Sequence, residues 1–585
     1  NILKEVRDKS VFSNELRSKI KDWASLYHLS PDRSNILRCF GFKNRNIKIL
    51  ELGAGCGAIT RYLGENFTSV YAVEGDVNRG RIIRLRCSEL DNVVKVFVTN
   101  IFDLEPEETF DMVLLIGVLE YSNLYATGNN LNPPLKLLEF AYNFLKDNGL
   151  LVLAIENKLG IKYLSGARED HTGKLFEGIQ GYPRRNTPTT LSKKELSELL
   201  EKAGFADIEF YLPFPDYKLP SVILNNKYSS LFAEYNIYNW IETPFPDRVS
   251  NSRTLLFNES LFLRELVRAN LLDELANSFL VLAYKGDKDS VCHNLELDRD
   301  WVVKKYSTNR LPNFIKEVTL IPEGPPKIMN KRLFPDTPPY NGDLKINLKD
   351  TPYVIGELLT YKFFEQAFND NFMDFVIKTM EQLKNLALSL FYAGSSDQEG
   401  YPLLRGKSID LTFFNIIVDT EGNWHPIDLE WEIRFDIPID YLIFRNLYAL
   451  FARYRAYLNL NINFNELITK VMRELFFNYN LQRINKSLEL EKIFENLVLH
   501  PAYSSLEEVY KIKDNIEKLN YHSASIIIVT YNSSSTIEGC LNSIIQNTSK
   551  IPYEIIIIDN NSRDNTVAIC REVLSRSSVP YKVIE

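Results

Sequence analysis

The stretch Glu51-Leu-Gly-Ala-Gly-Cys-Gly-Ala58 decides the fold of the first part of the chain. It follows an apolar segment at 47–52 and precedes an amphipathic segment at 58–65, which predicts a strand, a glycine turn and a helix. Three glycines at alternate positions let the backbone turn sharply and approach a ligand closely. Because the first turn of a helix has free N–H groups, this turn suits an anionic or nucleotide ligand.

The same alternation continues outward from this turn. Strands are predicted at 47–52, 69–74, 94–98, 111–116, 150–155, 205–212 and 278–284. Helices are predicted at 58–65, 77–90, 135–145 and 192–203, the last opening with a Ser192/Glu195 capping box. Alternating strands and helices at this spacing predict a parallel, Rossmann-like α/β sheet covered on both faces.

Glu74 ends the second predicted strand, 21 residues after Gly53. A carboxylate at this position can accept hydrogen bonds from both ribose hydroxyls of an adenosine. The pattern Gly53-x-Gly55-x-x-Ala58 also satisfies the relaxed dinucleotide pattern. These residues by themselves leave a dinucleotide cofactor open.

Glu51, the pair Phe110-Asp111 and the run Leu115-Ile-Gly-Val-Leu-Glu-Tyr121 resemble class I S-adenosylmethionine-dependent methyltransferases, as does the order of elements over 46–284. The resemblance implies a sheet that ends in a reversed hairpin and S-adenosyl-L-methionine as the cofactor. The implied cofactor residues are Glu51, Gly53, Gly55 and Gly57 at the methionine and ribose, Glu74 at the ribose, Asn100 and Ile101 at the adenine, and Gly117 and Val118 at the sulfonium.

Two polar segments, Glu156-Asn-Lys-Leu-Gly160 and Glu169-Asp-His-Thr172, follow the fifth predicted strand. Ligands bind past the carboxyl ends of strands in open α/β sheets, so these segments are placed for the acceptor. His171 is the candidate base because its ordinary pKa is near neutral, and Glu156 and Asp170 are alternatives. The segments resemble methyltransferases of bacterial surface-polysaccharide genes, which implies a sugar hydroxyl or a glycan phosphate as acceptor.

The middle block, about 296–480, has short strands followed by helices, and Asp410, Asn415 and Asp428 are spaced as in phosphoryl transfer. This α+β arrangement resembles aminoglycoside phosphotransferases and protein kinases. The resemblance implies Asp410 as catalytic residue and Asn415 and Asp428 as ligands of Mg²⁺ with ATP. Lys331 is the candidate phosphate lysine, Lys304 and Lys305 are its rivals, and 353–358 is the candidate hinge. An inactive kinase fold stays open, since no glycine-rich loop precedes the block.

The last segment contains Ser525-Ile-Ile-Ile-Val-Thr-Tyr-Asn532 and a second apolar strand that ends at Asp559. It resembles the opening of family-2 glycosyltransferases of the GT-A fold. The resemblance implies that Thr530, Tyr531 and Asp559 bind the nucleotide of a sugar donor. The remaining metal and catalytic residues of such a domain are expected beyond Glu585, so we expect the chain to be part of a longer polypeptide.

Composition limits the partners and the cellular compartment that we expect for this chain. The net charge of −8 argues against nucleic acid as a partner, and no apolar run is long enough to cross a bilayer. Six scattered cysteines without a C-x-x-C pair fit a reducing cytoplasm. The predicted domains are a methyltransferase at 1–286, with insertions after strands 5 and 6, a kinase-like domain at 296–480, a helical connector at 481–520 and a glycosyltransferase start at 523–585.

Together these observations predict a methyltransferase of bacterial glycan assembly, acting on a glycan or lipid-linked oligosaccharide. Such substrates place it in the cytoplasm at the inner face of the membrane. Two alternatives stay open: a bifunctional kinase and methyltransferase that caps glycan chains with methyl phosphate, and a cofactor-binding scaffold without turnover. The oligomeric state is not predicted.

Overall fold

The computed structural model describes residues 2–105, 108–125, 132–184, 187–250, 253–322, 324–458, 464–476, 479, 481–500, 524–548, 553–577 and 579–585. The strands are β1 Lys48–Leu52, β2 Ser69–Glu74, β3 Val94–Val98, β4 Phe110–Ile116, β5 Leu145–Glu156, β6 Asp207–Phe214, β7 Val222–Asn225, β8 Ser278–Lys285, β9 Val303–Tyr306, β10 Lys316–Ile321, β11 Lys327–Arg332, β12 Tyr340–Asn341, β13 Leu344–Ile346, β14 Thr351–Pro352, β15 Glu357–Leu358, β16 Tyr392–Ser396, β17 Pro402–Leu404, β18 Ile416–Val418, β19 Trp424–Pro426, β20 Trp431–Ile433, β21 Ile437–Pro438, β22 Ala524–Thr530, β23 Tyr553–Asp559 and β24 Tyr581–Ile584.

Helices alternate with these strands in the first part of the chain and dominate the middle. They are α1 Ile2–Glu5, α2 Asn14–Arg17, α3 Trp23–Leu29, α4 Asn35–Arg38, α5 Ala58–Asn66, α6 Val77–Arg86, α7 Ser122–Tyr125, α8 Pro133–Phe144, α9 Ile161–Leu164, α10 Lys193–Lys202, α11 Glu259–Arg268, α12 Leu272–Leu275, α13 Lys288–Leu295, α14 Leu359–Gln366, α15 Phe372–Phe391, α16 Ile439–Tyr454, α17 Phe464–Leu475, α18 Leu481–Val498, α19 Ile537–Asn547 and α20 Thr566–Ser575.

The first part is the predicted α/β sheet. Strands β1 to β5 are parallel in the order β3-β2-β1-β4-β5, and β8 lies antiparallel between β5 and β6. The reversed hairpin at the end of the sheet is therefore present. Alternate residues of β5 divide between two cores, one holding Leu151, Leu153 and Ile155 and the other Leu150, Val152 and Ala154.

Local predictions differ from the structure in two places. The polar composition of 287–290 predicts a linker, but the segment begins a helix instead: Asp287 caps α13 by accepting a hydrogen bond from Ser290 N–H. The candidate hinge at 353–358 has the pattern of a short strand, but only Glu357 and Leu358 of it pair in a ladder. The capping box predicted at Ser192 and Glu195 is confirmed.

The sheet continues past the predicted domain boundary at 286–296. Strand β7 pairs with β9, and the order continues through β10 and β11 to β14, which gives twelve strands among the described residues. Leu224 of β7 and Val303 of β9 are register partners, and both are fully buried in the same core. The first part and the middle block therefore share one sheet and one core.

The remaining strands of the middle block form three small sheets, β12-β13-β20, β15-β18-β19 and β16-β17-β21. Residues 524–585 form a parallel sheet of β22, β23 and β24 with α19 and α20 packed on it. Of the predicted connector at 481–520, α18 is described, and 501–523 lie outside the described residues. In the described part of the chain, every helix is too short or too polar to cross a bilayer.

The shared core yields a prediction for Val303. Val303→Asp places a carboxylate at a fully buried position whose register partners are Leu224 of β7 and Leu320 of β10. We expect the free energy of unfolding to fall by about 3–5 kcal/mol. Because the two parts share a sheet, chemical denaturation should show the loss in probes of both parts. Lys327→Asp on exposed β11 is the control and should change the stability little. Loss confined to the middle block would contradict a shared core.

Candidate functional site

The glycine turn after β1 has the backbone that the sequence predicts. Gly53, Gly55 and Gly57 have φ angles of 76°, 58° and 76°, in the left-handed region that side chains disfavour. Gly57 is the N-cap of α5. A Cβ on Gly53 would lie 2.6 Å from Val118 Cγ2, so the turns after β1 and β4 touch. The structure thus brings together the residues predicted to hold the methionine and sulfonium.

Glu74 closes the other side of this turn. Its Oε2 accepts a hydrogen bond from Gly55 N–H at 2.7 Å, and its Oε1 accepts one from Asp76 N–H at 3.1 Å. A Cβ on Gly55 would meet no atom within 4 Å, so open space lies beside the carboxylate. This space next to an ordered carboxylate suits a ribose.

Asn100 and Ile101, the residues predicted to flank the adenine, follow the end of β3. Asn100 Oδ1 accepts from Phe102 N–H at 3.1 Å, which fixes the turn after β3. Ile101 packs partly buried against the core. The structure places both residues next to the end of β2, since Thr99 N–H donates to Glu74 O.

Glu51 is buried beneath the glycine turn. Thr60 Oγ1 donates a hydrogen bond to its Oε2 at 2.6 Å. Burial raises the pKa of Glu51 to about 8, because a carboxylate loses hydration in the interior. The side chain therefore carries a proton at neutral pH unless a cation binds beside it.

A second, polar pocket begins at the turn after β4. Gly117 has a φ of 70°, and the ring of Tyr217 lies directly against it. Tyr217 OH donates to Glu120 Oε1 at 3.4 Å. The predicted sulfonium position and Glu120 are therefore bridged by one tyrosine.

His171 lies in this pocket among carboxylates. Its Nδ1 is 2.9 Å from Glu169 Oε1, and its Nε2 is 3.6 Å from Glu120 Oε1 and 3.9 Å from Glu156 Oε2. Burial alone would lower the pKa of His171, but Glu156, Glu120 and Glu169 outweigh it and raise the pKa to about 10. As a base, His171 would first have to lose this proton.

Asp170 and Glu156 are held by lysines. Lys162 Nζ lies 3.0 Å from both oxygens of Asp170, and Lys218 contacts Asp170 and Glu156. Burial alone would raise the pKa of Asp170, but the two ammonium groups hold it well below its usual range. Asp170 is therefore a weak proton acceptor that anchors the lysines. For Glu156, burial outweighs Lys218 and His171 and raises the pKa.

The middle block also gathers its predicted residues. Asn415 Nδ2 donates to Asp410 Oδ1 at 3.0 Å, and Asp410 Oδ2 accepts from the backbone N–H of Glu430 and Trp431. Burial, with Glu430 and Asp428 nearby, raises the pKa of Asp410 to about 7. Both carboxylate oxygens of Asp410 are thus engaged in hydrogen bonds with the surrounding loops. The proposed proton acceptor is therefore already bonded to the protein.

The lysine at Asp428 is Lys316, not the predicted Lys331. Lys316 Nζ lies 3.0 and 3.2 Å from the two carboxylate oxygens of Asp428. Lys331 is the partner of Glu317 in the β10–β11 ladder, so it lies on the opposite face of the sheet from Lys316. The rival Lys304 contacts Asp298, and Lys305 contacts Glu242. The prediction assumed the third short strand, whereas the contact comes from the second.

In the last segment, Thr530 and Asp559 end two paired strands. Thr530 Oγ1 donates to Asp559 Oδ1 at 2.7 Å, and Ser562 N–H donates to Asp559 Oδ2 at 2.7 Å. Tyr531 is exposed beside them. The three residues predicted to bind a nucleotide share the carboxyl end of this sheet.

Several residues of these sites were missed from the sequence. They are Glu120, Tyr217, Lys218 and Lys316. Glu120 lies inside the run after β4 that was already recognised, so its acidity was an available signal. Tyr217 and Lys218 come from the segment after β6, and only the tertiary fold brings them to β4 and β5.

The raised pKa of Glu51 predicts a pH dependence of stability. Between about pH 5 and pH 8 the unfolded chain ionises Glu51 while the folded chain keeps the proton, so stability falls as pH rises. Glu51→Gln removes this loss. Relative to the wild type, we expect the variant to gain up to about 1.4 kcal/mol per pH unit in this window, measured by urea unfolding. Exposed Glu139→Gln should show no such trend, and parallel curves for Glu51→Gln would contradict the burial argument.

Comparisons with known proteins agree with two of the four predicted parts. A family described as "Methyltransferase domain" matches residues 27–209, and "Glycosyl transferase family 2" matches residues 525–585. The curated ribosomal RNA small subunit methyltransferase A of Mycoplasma capricolum is 21% identical over 242 residues, which cover 40% of this chain and 82% of that protein.

Solved structures of methyltransferases are also similar to this chain. One from Thermotoga maritima, described as a possible histamine N-methyltransferase, is 15% identical and covers 43% of this chain and 88% of that chain, with a TM-score of 0.24. One from Mesorhizobium loti is 14% identical, with coverages of 45% and 100% and a TM-score of 0.26. The N-terminal domain of EvdMO1, solved in the presence of SAH and D-fucose, is 22% identical, with coverages of 31% and 75% and a TM-score of 0.23. By the family matches, residues 27–209 form a methyltransferase domain and residues 525–585 form part of a family-2 glycosyltransferase domain.

Proposed function

We propose that this chain is an S-adenosylmethionine-dependent methyltransferase that methylates a sugar hydroxyl during glycan assembly. One observation carries the proposal. The open space at Gly55 and Glu74 lies at the same sheet edge as Gly117, and the buried pocket of Glu120, Glu156 and His171 adjoins Gly117.

The charge of the pocket favours a hydroxyl over a glycan phosphate as acceptor. Glu120 and Glu156 are fully buried, and carboxylates accept hydrogen bonds from hydroxyl groups. A phosphate would bring further negative charge next to them, at a low local dielectric where repulsion is strong. Of the two predicted acceptors, the hydroxyl is therefore the one we propose.

The family-2 glycosyltransferase match supports a glycan as the carrier of that hydroxyl. An RNA acceptor, as the name of the Mycoplasma relative describes for that protein, fits less well. A net charge of −8 gives no general attraction to a phosphate backbone. A lipid-linked glycan would bring the protein to a membrane surface, and this location is part of the proposal.

Each polar group then has a role. When bound, S-adenosylmethionine supplies an electrophilic methyl group. Glu74 binds the ribose, and Glu51 faces the cationic methionine end. Tyr217 packs against Gly117 and limits access of water. The pocket of Glu120, Glu156 and His171 orients the acceptor hydroxyl, which loses its proton as its oxygen is methylated.

Titration with S-adenosylhomocysteine tests the cofactor site. We expect the wild type to bind it, and Glu74→Ala to weaken binding by about 2–3 kcal/mol, or roughly 30- to 150-fold, because two charge-assisted hydrogen bonds are lost. Glu139→Gln, on the exposed face of α8, should bind like the wild type. If the wild type does not bind S-adenosylhomocysteine but does bind NAD, the glycine turn is a dinucleotide site and the proposal is wrong.

A second candidate function is nucleotide binding by the middle block. Its support is the contact of Lys316 with Asp428, beside Asn415 and Asp410, since a lysine and metal-binding acids are what a nucleoside triphosphate requires. Because Asp410 is engaged with the protein, binding without phosphoryl transfer fits the geometry better than catalysis. A more demanding version of this second proposal is a kinase that supplies a phosphate for methylation.

Titration with ATP and Mg²⁺ tests nucleotide binding by the middle block, with Lys316 and Lys331 as a matched pair of lysines. Lys316→Met and Asp428→Asn should each weaken ATP binding by about 10-fold or more, because each removes a charged partner. Lys331→Met should leave ATP binding unchanged, since this lysine lies on the opposite face of the sheet. Equal loss in both lysine variants, or no binding by the wild type, would contradict the site.

A further inference from the structure

We propose that Glu120, Glu156 and His171 Nε2 form a binding site for a divalent first-row cation, with Mn²⁺ as the best fit. The inference that the cation activates the acceptor hydroxyl rests on the proposed function. The inference that the cation binds does not depend on it, because binding is carried by the geometry of these three side chains.

The ligand atoms are spaced for one ion. One atom from each of the three residues can be chosen so that all lie within 4.8 Å of one another. Nε2 is 3.6 Å from Glu120 Oε1 and 3.9 Å from Glu156 Oε2. Ligands about 2.1 Å from an octahedral ion are separated by about 3–4 Å, so the observed spacing needs little movement.

The second ring nitrogen of His171 has the partner that metal-bound histidines use. Nδ1 lies 2.9 Å from Glu169 Oε1, and histidine ligands usually donate this N–H to a carboxylate. Glu169 is itself fixed by the N–H groups of His171 and Thr172 at 2.9 and 2.6 Å. This arrangement turns Nε2 toward Glu120 and Glu156.

A buried oxygen points independently to a missing partner. Glu120 is fully buried, and its Oε2 has no hydrogen-bond partner among the described residues. The hydroxyl of Tyr163, the residue next to Lys162 on α9, is also buried without a hydrogen-bond partner among the described residues. Buried carboxylate oxygens are costly without a donor or a cation, so these atoms indicate an unfilled polar site.

The charge balance favours a cation of more than one charge. Four buried carboxylates, Glu120, Glu156, Glu169 and Asp170, surround the cations Lys162 and Lys218 and one imidazole. Lys218 contacts one oxygen of Glu156, and Lys162 contacts Asp170. Among the described residues, the group that can bring positive charge to Glu120 at this distance is therefore the imidazole of His171. A divalent ion at Nε2 would neutralise Glu120 and the second oxygen of Glu156.

The donor set indicates which ion. Two carboxylates and one imidazole leave several positions open for water or substrate, which suits Mn²⁺ better than the thiolate-preferring metals. Because Tyr217 joins Glu120 to Gly117, an acceptor hydroxyl on the ion would lie beside the methyl donor. On coordination the hydroxyl proton leaves to solvent. The oxygen then forms a bond to the methyl carbon as the carbon–sulfur bond breaks, and sulfur keeps the electron pair.

Mn²⁺ binding to the full chain, stripped of metal with EDTA, tests the proposal by the loss of the free-ion electron paramagnetic resonance signal. We expect one bound equivalent in the wild type. Glu120→Gln, of the same shape, and His171→Gln should each weaken binding at least about 10-fold. Glu139→Gln, on the exposed face of α8, should leave binding unchanged. Unchanged affinity in Glu120→Gln, or an equal loss in Glu139→Gln, would overturn the site.

Two further measurements keep the result interpretable. Pulsed resonance of the wild type with ¹⁵N-labelled histidine should show one nitrogen coupled to Mn²⁺, and this readout does not depend on a variant that folds. Titration with S-adenosylhomocysteine is run in parallel. If the wild type binds S-adenosylhomocysteine but not Mn²⁺, only the metal site is overturned. If it binds Mn²⁺ but not S-adenosylhomocysteine, the proposed function is overturned and the metal site stands.

Discussion

The antiparallel insertion of β8 between β5 and β6 is the constraint on which the rest of the structure depends. Ser278, at the start of β8, is the register partner of Glu156, at the end of β5. This pairing fixes the carboxyl end of β5, and β6 on the far side of β8 delivers the segment with Tyr217 and Lys218 to the same edge. Without it, the polar pocket would lack Tyr217 and Lys218.

Burial then sets the chemistry of that edge. Asp170, which is held by two ammonium groups, stays ionised, whereas Glu51, whose hydrogen-bond donor is the hydroxyl of Thr60, keeps a proton to about pH 8. The same sheet edge therefore holds a neutral acid under the glycine turn and a charged cluster beside Gly117. The difference comes from which cations the fold brings within reach, not from residue type.

The sequence predicted those features that depend on neighbours along the chain. The glycine turn, the position of Glu74 and the parallel strands were all predictable, because periodicity and turn chemistry are local. The contact of Lys218 with Glu156, the contact of Lys316 with Asp428 and the pairing of β7 with β9 were not, because each joins residues far apart in sequence. The lysine at Asp428 shows the limit: the short strands of the middle block were predictable, but the strand and the face that meet Asp428 were not.

The β7–β9 pairing changes how ligands act on this chain. A ligand of the native state stabilises the whole cooperative unit that contains its site, by an amount set by its concentration relative to Kd. Since the glycine turn and Lys316 belong to parts that share a sheet and a core, a cofactor at one and a nucleotide at the other raise the same unfolding free energy. A thermal shift alone therefore cannot assign a ligand to either site. Assignment requires side chains that touch only one of them, such as Glu74 and Lys316, which lie on opposite sides of the β7–β9 joint along the sheet.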